Sequence, residues 1–393
     1  MIPITRPDLG PAEQEAVCRV VGSGWLTQGA EVAAFEQEFA ACTGAARACA
    51  VSNCTTALHL ALLAHGIGPG DEVITVSHSF IATANAIRHC GAEPVFVDIL
   101  PDTFNMDPAA IAAAIGPRTR AILCVHQMGM PCDLAAIAAI ALHHDLPLIE
   151  DAACAIGSQI RLDGRWQAVG GRKGATACFS FHPRKVVTTG DGGMVTTSSQ
   201  TRDQLLRLLR QHGMSISDKA RHESSEVLTE AYPIVGYNYR LTDLQAAIGR
   251  AQLRRLPDLV ARRRALAAGY ALRLADLPGV TAPVEPEWAR SNWQSYCIRL
   301  PASADQRSVM QSMLDQGIAT RRGIMCIHRE PPYRAGGHRH LVHSEQAQDG
   351  CILLPLYPAL TESEQDQVVA ALRAALRSPA RSRRAEQRVG AAA

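Results

Sequence analysis

Between residues 45 and 200, apolar residues occur in short continuous runs, separated by longer stretches with helical spacing. The runs that predict strands are GPGDEVITV, GAEPVFVDI, AILCVHQ, LPLIEDAA, ATACFSF and GGMVTT. The stretches between them predict helices over residues 56–65, 79–90, 108–115 and 133–144. Continuous apolar strands separated by helices are typical of a parallel sheet covered on both faces. The pattern therefore predicts one large α/β domain.

The pattern changes after residue 240. A long helix is predicted over residues 241–256, and a second helix, rich in arginine and alanine, continues to about residue 274. SYCIRL predicts a strand, and residues 305–316 and 361–376 predict helices on either side of a loop rich in histidine, arginine and glycine. We expect residues 1–255 to form an N-terminal arm and the large domain, and residues 256–376 to form a smaller C-terminal α+β domain. Residues 377–393 are arginine-rich without apolar periodicity, which predicts a disordered basic tail.

The composition supports a folded protein and excludes several functional classes. Of the 393 residues, 47% are hydrophobic and only 19% are charged, and the net charge of +2 gives no basic surface for nucleic acid. No run approaches the roughly 18 apolar residues of a membrane helix. The N-terminus lacks the basic and apolar regions of a secretory signal. We expect a cytoplasmic protein that binds neither nucleic acid nor membrane.

Cysteine and lysine usage narrows the possible chemistry. The twelve cysteines are scattered through apolar runs without any CxxC pair, a spacing typical of reduced, buried thiols, so we expect neither disulfides nor a metal site. Of the 39 basic residues, only Lys173, Lys185 and Lys219 are lysines. An arginine guanidinium stays protonated and forms no ordinary imine with an aldehyde. Chemistry that needs a primary amine therefore has three candidates.

One of these lysines lies in a distinctive segment, FSFHPRKVVTTGDGGMVTT, over residues 179–197. Two short strands flank a turn-rich loop that holds Lys185 together with Ser180, His182 and several glycines. This setting suits an amine that forms a Schiff base and whose pKa is lowered by its surroundings. A solvated lysine that caps a turn is the alternative interpretation.

A pair of carboxylates ends the predicted strand LPLIED. Functional groups of open α/β sheets cluster at the C-terminal ends of strands, where Glu150 and Asp151 lie. A carboxylate at this position, 34 residues before Lys185, could hold the protonated pyridine nitrogen of pyridoxal phosphate. An aspartate that caps a helix is the alternative.

A third segment, AVSNCTTALHLAL over residues 50–62, places Ser52, Asn53, Thr55 and Thr56 between a short strand and a helix. Hydroxyls and backbone N–H groups at a helix N-terminus can bind phosphate, although ordinary N-capping is equally compatible with these residues. The chain contains no GxGxxG or GxxxxGK[ST] motif, which argues against dinucleotide and nucleoside-triphosphate sites.

The order of phosphate site, aspartate and lysine resembles that of the DegT/StrS family of pyridoxal-phosphate-dependent sugar aminotransferases. The resemblance extends from about Ile4 to Leu376 and includes SGWLTQGAEVAAFEQEFA, SNCTTALHLALLAHGIGPGDEVI, HSFIATANAI, GAEPVFVDI, VHQMGMPCDL, IEDAACAIGS, SFHPRKVVTTGDGGM, GYNYRLTDLQAAIG and LPLYPALTESE. It implies the fold-type I architecture of aspartate aminotransferase, in which a large, mostly parallel sheet is covered by helices and followed by a smaller α+β domain.

The resemblance implies catalytic and cofactor-binding roles for individual residues. Lys185 would form the Schiff base and act as the general base, Asp151 would bind the pyridine nitrogen, and Phe80 would stack on the cofactor ring. The phosphate would be bound by Ser180, Thr55 and the backbone of Cys54. Asn238, in GYNYR, would reach this phosphate from the partner subunit, which implies a homodimer with shared active sites.

Two positions depart from the family pattern. Position 154 is commonly histidine or glutamine, which can bond the ring hydroxyl of the cofactor, but this chain has Cys154, whose thiol is a weak donor. Cys54 stands where glycine or alanine is usual before the threonine.

Several further residues match positions on the substrate side of the family's site, namely Trp25, Thr27, His182, Arg321 and His328. His328, with Arg321 and Arg322 nearby, would contact an anionic substrate, and a solvated basic loop is the alternative. A histidine beside the lysine could act as a base or only orient the loop.

The implied reaction moves an amino group from glutamate or glutamine to a keto-sugar nucleotide, an NDP-4-keto-6-deoxyhexose, in amino-sugar biosynthesis. A lysine at position 185 favours this reaction over that of family dehydratases, which have histidine there. Amination of a cyclitol or of a 3-keto sugar is an alternative, and a non-catalytic, cofactor-binding regulator is an alternative of another class. The sequence leaves the nucleotide, the sugar stereochemistry and the amino donor open.

Overall fold

The computed structural model describes residues 1–172, 174–334 and 341–377. Its strands are β1 (Arg47–Val51), β2 (Glu72–Val76), β3 (Glu93–Val97), β4 (Thr119–Val125), β5 (Leu148–Asp151), β6 (Gln159–Leu162), β7 (Arg165–Ala168), β8 (Thr176–Ser180), β9 (Gly193–Thr197), β10 (Ala289–Arg290), β11 (Tyr296–Arg299), β12 (Arg321–Arg322) and β13 (Cys351–Leu354). The α-helices are α1 (Pro11–Ser23), α2 (Ala30–Thr43), α3 (Cys54–Ala64), α4 (Ala82–His89), α5 (Pro108–Ile111), α6 (Leu134–His143), α7 (Gln200–Arg210), α8 (Asp218–Glu223), α9 (Asp243–Arg254), α10 (Leu256–Leu274), α11 (Gln306–Asp315), α12 (Val342–Gly350) and α13 (Glu362–Arg377).

Seven strands form the central sheet, in the order β1-β9-β8-β5-β4-β2-β3. The neighbours from β8 to β3 are parallel, whereas β9 runs antiparallel to both β8 and β1. The α/β fold with a mostly parallel sheet is thus confirmed. Because parallel strands end at the same edge, β2, β4, β5 and β8 deliver the residues that follow them to one side of the sheet.

Both faces of this sheet are buried, which explains why its strands are continuously apolar. On one face, Phe35 and Phe39 of α2 pack against Phe179 and Phe181. On the other face, the apolar residues of α3 pack with those of the strands, including Leu58, Leu60 and Leu62. The strand β1 alternates between the two layers, with Ala48 and Ala50 in the first and Cys49 and Val51 in the second.

The C-terminal part contains a three-stranded antiparallel sheet, β11-β13-β12, against which α10, α11 and α13 pack. Its apolar cluster is built around Tyr270, Tyr296, Met313 and Leu372. The N-terminal residue Ile2 also joins this cluster and pairs with Ile318. This part of the molecule has the predicted α+β composition.

Several predicted helix ends were wrong by a few residues, for reasons that differ from one helix to the next. Asn53 caps α3, so this helix begins at Cys54 rather than at residue 56. The predicted helix over 79–90 begins only at Ala82. The one over 108–115 ends as an α-helix at Ile111 and continues as a 3₁₀ turn. The helix over 241–256 spans Asp243–Arg254, because the capping box of Thr242 starts it.

Other elements escaped prediction, including α1, α2, α7, α12 and the β6–β7 hairpin. The hairpin turns through Asp163 and Gly164, both with positive φ, so the sequence pair Asp-Gly was a usable signal. The predicted tail falls almost entirely on residues 378–393, outside the described residues. Among the described residues, no helix is long and apolar enough to span a bilayer. All twelve cysteines are free thiols, as the spacing predicted.

Candidate active site

A cavity of about 550 Å³ opens where the parallel strands end. Its wall includes the N-terminus of α3, the loops after β2, β4, β5 and β8, and parts of the small sheet. Nine predicted site residues line it: Cys54, Thr55, Phe80, Asp151, Cys154, Ser180, His182, Lys185 and Arg321. Residues up to 267 positions apart in the sequence thus meet in one concave surface, counting from Cys54 to Arg321.

Lys185 lies in the loop between β8 and β9, and its Nζ donates a hydrogen bond to Cys154 Sγ at 3.0 Å. Burial lowers the pKa of this amine, but Cys154, Cys54 and Asp151 outweigh burial, so the pKa of Lys185 is raised above its usual value of 10.5. The prediction of a lowered pKa was therefore wrong for the protein without its cofactor. The sequence showed the apolar strands on either side of the lysine but not the thiol and carboxylate brought to it by β5.

Asp151 ends β5 and is only 5% exposed. Its Oδ2 accepts a hydrogen bond from Thr83 Oγ1 at 2.8 Å, and its Oδ1 accepts one from the Ala153 N–H at 3.2 Å. Thr83 Oγ1 lies 2.8 Å from Ser79 Oγ, which fixes the threonine in turn. Burial raises the pKa of Asp151 above its usual 3.8, although these hydrogen bonds oppose the shift. Within the described chain no cation forms an ion pair with this carboxylate, so its charge is under-compensated.

The N-terminus of α3 forms the opposite wall of the cavity. The Asn53 side chain accepts from the Thr56 N–H at 3.0 Å and caps the helix. The remaining N–H groups of the first turn have no partner within the helix, which makes this end attractive to an anion. The β9 backbone at Gly193 approaches so closely that a Cβ there would lie 2.5 Å from the Asn53 carbonyl. The close approach holds this helix end against the sheet, next to the hydroxyls of Thr55 and Ser180.

Phe80 provides the clearest sign that a flat ligand fits here. Its side chain is 63% exposed, although it lines the cavity and lies in a segment whose neighbours are buried. An exposed phenyl ring in a cavity is available for stacking on an aromatic ligand. Together with the under-compensated Asp151, the amine of Lys185 and the anion-attracting end of α3, this ring fits pyridoxal phosphate. The residues present are those needed for its ring nitrogen, aldehyde, ring face and phosphate.

Four predicted site residues do not line this cavity. Trp25 and Thr27 lie beside the start of α9, where the Asp243 N–H bonds the Thr27 carbonyl at 3.2 Å. Trp25 lines a separate cavity of about 340 Å³ and packs against the His222 ring. Asn238 is exposed and pairs through its backbone with Gln211.

His328 is the fourth of these residues. Its Nδ1 lies 2.6 Å from Ser77 Oγ, and its Nε2 lies 3.1 Å from Glu345 Oε1. The histidine therefore connects the end of β2 to α12 of the small sheet region. The predicted substrate contact has no support in this arrangement.

Sequence reasoning missed other residues of the cavity wall. Arg184 directly precedes Lys185 and lines the same space. Its position next to the lysine was a signal, but a loop arginine is common enough to be overlooked. Ser79 and Thr83 were also missed, because hydroxyl residues before a helix resemble ordinary caps.

Comparisons with known proteins agree with this geometry. The sequence profile of the DegT/DnrJ/EryC1/StrS aminotransferase family matches residues 7–373. The spore coat polysaccharide biosynthesis protein SpsC of Bacillus subtilis (strain 168) is 37% identical over 379 residues, which cover 95% of this chain and 96% of that protein. The aminotransferase TlmJ from Streptoalloteichus hindustanus superposes with a TM-score of 0.87 at 35% identity, covering 96% of this chain and 99% of that one. DesI, solved in the presence of its TDP-sugar product, superposes with a TM-score of 0.84 at 32% identity, covering 96% and 93%.

Proposed function

The chain belongs to the DegT/DnrJ/EryC1/StrS aminotransferase family, and from that premise we propose that it moves an amino group from glutamate or glutamine to a nucleotide-linked keto sugar. It is an enzyme of the sugar aminotransferase class, with pyridoxal phosphate as cofactor. The acceptor we propose is an NDP-4-keto-6-deoxyhexose. The TDP-sugar product of DesI and the polysaccharide role of SpsC support an acceptor of this kind.

One arrangement carries this function: Lys185, in the loop after β8, and Asp151, the last residue of the neighbouring strand β5, face the same cavity. The amine can bond the carbonyl carbon of the cofactor. The carboxylate can keep the ring nitrogen protonated, because a buried anion without an ion pair gains most from a cation placed beside it. Both groups and the Phe80 ring are presented by the fold before any ligand arrives.

When bound, pyridoxal phosphate supplies a protonated ring that withdraws electrons from the carbon next to the transferred nitrogen. Side chains of this protein would bind the cofactor and move the protons. Asp151 holds the ring-nitrogen proton and is itself held by Thr83. Lys185 Nζ would hold the cofactor and, as the general base of the site, would accept and return the proton that the transfer moves.

The other cofactor contacts follow from the same geometry. We place the phosphate at the N-terminus of α3, where the Cys54 and Thr55 backbone and the hydroxyls of Thr55 and Ser180 can donate hydrogen bonds. We place Cys154 at the ring-hydroxyl contact, which is supported by the hydrogen bond that its sulfur accepts from Lys185 Nζ.

We also propose a cytoplasmic homodimer with shared active sites. Asn238 lies outside the cavity of its own chain and is exposed, so it is available to a second copy. As a residue of the partner subunit it would complete the phosphate site. The free cysteines are compatible with a reducing compartment.

The absorbance spectrum of the purified protein with pyridoxal phosphate tests this function. We expect a band near the visible edge from the cofactor bound to Lys185, and a shift to shorter wavelength when glutamate or glutamine is added. Lys185→Ala should lose the band, whereas Lys219→Ala, at the second cavity, should keep it. A band in wild-type protein that neither amino donor changes would contradict the aminotransferase reaction, and a band retained in Lys185→Ala would place the amine at another lysine.

If the donor shift is observed, keto-sugar nucleotides can be screened as acceptors by the return of the original band. A 4-keto-6-deoxyhexose nucleotide should restore it, while the corresponding 3-keto compound and a cyclitol ketone should not. If only one of those compounds restores the band, that compound is the acceptor and the proposed 4-keto sugar is wrong.

A further inference from the structure

Two arginines on the wall of the active-site cavity have no negatively charged partner among the described residues. Arg184 precedes Lys185 in the loop after β8, and Arg321 lies in β12 of the small sheet. Both are exposed, and neither side chain forms an ion pair or a hydrogen bond with any part of the chain that the structure describes. The two residues belong to different parts of the fold, the large sheet and the small sheet, and both line this cavity.

Elsewhere in this arginine-rich protein, guanidinium groups near carboxylates are paired. Arg207 and Arg210 both bind Glu36, and Arg250 binds Glu31 and Glu38. Other exposed arginines without an ion pair among the described residues, such as Arg322, face solvent, whereas Arg184 and Arg321 line the active-site cavity. Their exposure there resembles the state of a binding residue whose partner arrives with the ligand.

The charges of the cavity favour an anion at this place. Partial burial and the nearby charge of Arg321 lower the pKa of Arg184, as expected for two cations that line one cavity. A bound anion would offset the repulsion between them. Two carboxylates, Asp151 and Asp191, are among the described residues of the wall. Asp151 accepts a hydrogen bond from Thr83. Neither carboxylate forms an ion pair with the two arginines.

His182 adds a third donor. Its Nδ1 accepts the backbone N–H of Arg184 at 3.2 Å, which leaves the proton of a neutral ring on Nε2. Burial and the neighbouring cations Arg184, Lys185 and Arg321 lower the pKa of His182, while Asp191 opposes them, so the ring is neutral at pH 7. The carbonyl of Arg184 accepts a bond from Gln294 Nε2 at 2.8 Å, which fixes the loop.

We propose that Arg184 and Arg321 form an oxyanion-binding subsite of the active-site cavity, with the Nε2–H of His182 as a neutral third donor. The inference rests on the proposed function, which supplies two oxyanions in turn: a carboxylate of the amino donor and the diphosphate of the nucleotide. Guanidinium groups bind both kinds of anion through paired hydrogen bonds. The subsite would explain how one cavity accepts two chemically different substrates.

The two half-reactions can be measured separately on the holoenzyme by following the cofactor spectrum. We expect Arg184→Gln and Arg321→Gln each to raise the concentration for half-maximal rate by about tenfold or more in at least one half-reaction, since hydrogen bonds to charged groups are lost. The spectrum of the bound cofactor should stay unchanged. Arg184→Lys should recover part of the effect, because it keeps the charge but not the paired geometry. Arg322→Gln is the matched control, since Arg322 is the exposed neighbour in β12 and does not line the cavity.

The pattern of effects identifies the anion. A change only with the amino donor assigns the subsite to the carboxylate, a change only with the sugar nucleotide assigns it to the diphosphate, and a change in both shows alternate use. The subsite is wrong if Arg184→Gln, Arg321→Gln and the control Arg322→Gln have the same concentration for half-maximal rate in both half-reactions.

A second measurement is independent of turnover. Inorganic pyrophosphate and succinate should bind the wild-type holoenzyme, by calorimetry, about tenfold or more tightly than Arg184→Gln or Arg321→Gln. If both probes bind wild type and the variants alike, the subsite is wrong. If the cofactor spectrum of wild type does not respond to any amino donor, the proposed function fails, while anion binding still decides the subsite.

Discussion

Asp151 and Lys185, the two residues proposed to be catalytic, differ in how their charges are compensated in the folded chain. The carboxylate is buried with only neutral hydrogen-bond donors, and the amine touches a thiol instead of a carboxylate. The carboxylate is less well compensated than it could be, and it would gain from a ligand that carries a positive charge. Its burial reduces protein stability at the site where the proposed function requires reactivity. The amine differs, because Cys154, Cys54 and Asp151 favour its protonated form.

Replacing Asp151 should separate stability from activity. Burial raises the pKa of Asp151 above 3.8, so the folded state binds more protons than the unfolded state between the two pKa values. Stability therefore falls as the pH rises through that range, and the loss persists at pH 7. We expect cofactor-free Asp151→Asn to melt roughly 1–2 °C higher than wild type at pH 7, with the difference shrinking toward pH 4. Turnover of the loaded enzyme should fall by about a hundredfold or more.

Thermal unfolding across pH and steady-state rates check both parts. Asp145→Asn is the control, because Asp145 lies in an exposed turn and should change neither quantity. A variant that is less stable at pH 7, or one that turns over normally, would contradict the role assigned to this carboxylate.

Most of the residues proposed to bind the cofactor could be singled out from the sequence, because each ends a strand, follows one or begins a helix in a recognisable segment. Lys185, Asp151, Thr55 and Ser180 are of this kind and line the cavity, while their individual roles came from the family resemblance. Thr83 could not be predicted, since only the folded chain brings its hydroxyl to a carboxylate 68 residues away. The raised pKa of Lys185 escaped prediction for the same reason.

At the scale of elements, the position of α3 depends on its contact with β9. A Cβ at Gly193 would lie 2.5 Å from the Asn53 carbonyl and 2.9 Å from the Cys54 nitrogen, both backbone atoms that cannot move independently. We expect Gly193→Ala to displace the start of α3, to weaken pyridoxal phosphate binding about tenfold, and to destabilise the fold by about 1–3 kcal/mol.

A cofactor titration and thermal unfolding measure these effects. Gly68→Ala serves as the control, because a Cβ at Gly68 meets no atom within 4 Å. Unchanged cofactor affinity in Gly193→Ala would show that the position of this helix end does not limit phosphate binding.

A second element-scale prediction concerns His328, which bridges Ser77 after β2 and Glu345 of α12. Loss of these hydrogen bonds in His328→Ala should lower the free energy of unfolding by about 1–2 kcal/mol. The substrate concentrations for half-maximal rate should change little, because the side chain does not line the cavity. His343→Ala, at an exposed position of α12, is the control for unfolding. If His328→Ala changes the substrate affinity but not the stability, His328 contacts the substrate as the sequence suggested.

The elements that escaped prediction have identifiable causes. The β6–β7 hairpin was missed although its strands, QIRL and RWQA, alternate polar and apolar residues on either side of the Asp163-Gly164 turn. Each strand has only four residues, so the alternation is short and easily overlooked. The long predicted helix over 241–256 breaks because α10 begins with proline at its first turn, which requires an interruption near Arg255. Local chemistry specified these ends, and the hydrophobic pattern alone did not.

At the scale of the whole molecule, local pattern predicts the presence of the strands but not the order β1-β9-β8-β5-β4-β2-β3. Strand order is a long-range property, and so is the meeting of Arg184 with Arg321 across the cavity. The domain division at residue 255 remains a proposal. The bend between α9 and α10 supports it, whereas the pairing of Ile2 with Ile318 ties the N-terminus to the small sheet region.

If the proposed homodimer shares its active sites, two inactive variants should restore activity when they combine in one dimer. Lys185→Ala removes the reacting amine, and Asn238→Asp puts a negative charge where the partner subunit would meet the cofactor phosphate. Each variant alone should be nearly inactive. In a hybrid dimer, if Asn238 of one chain serves the cavity of the other, one site carries both changes and the second site carries neither. Subunits unfolded together and refolded at equal amounts should then recover about one quarter of the wild-type activity, since half of the dimers are hybrids with one intact site each.

Activity and the cofactor band of the mixture are compared with those of each variant refolded alone. The control mixture pairs Lys185→Ala with Asp151→Asn, two changes in the same chain's cavity. In its hybrid dimers each site carries one of the two changes, so this mixture should recover nothing. If Asn238 acted within its own chain, its mixture with Lys185→Ala would behave like this control, and the site would be complete in one subunit. Recovery in the first mixture alone requires that the phosphate site be built from two chains.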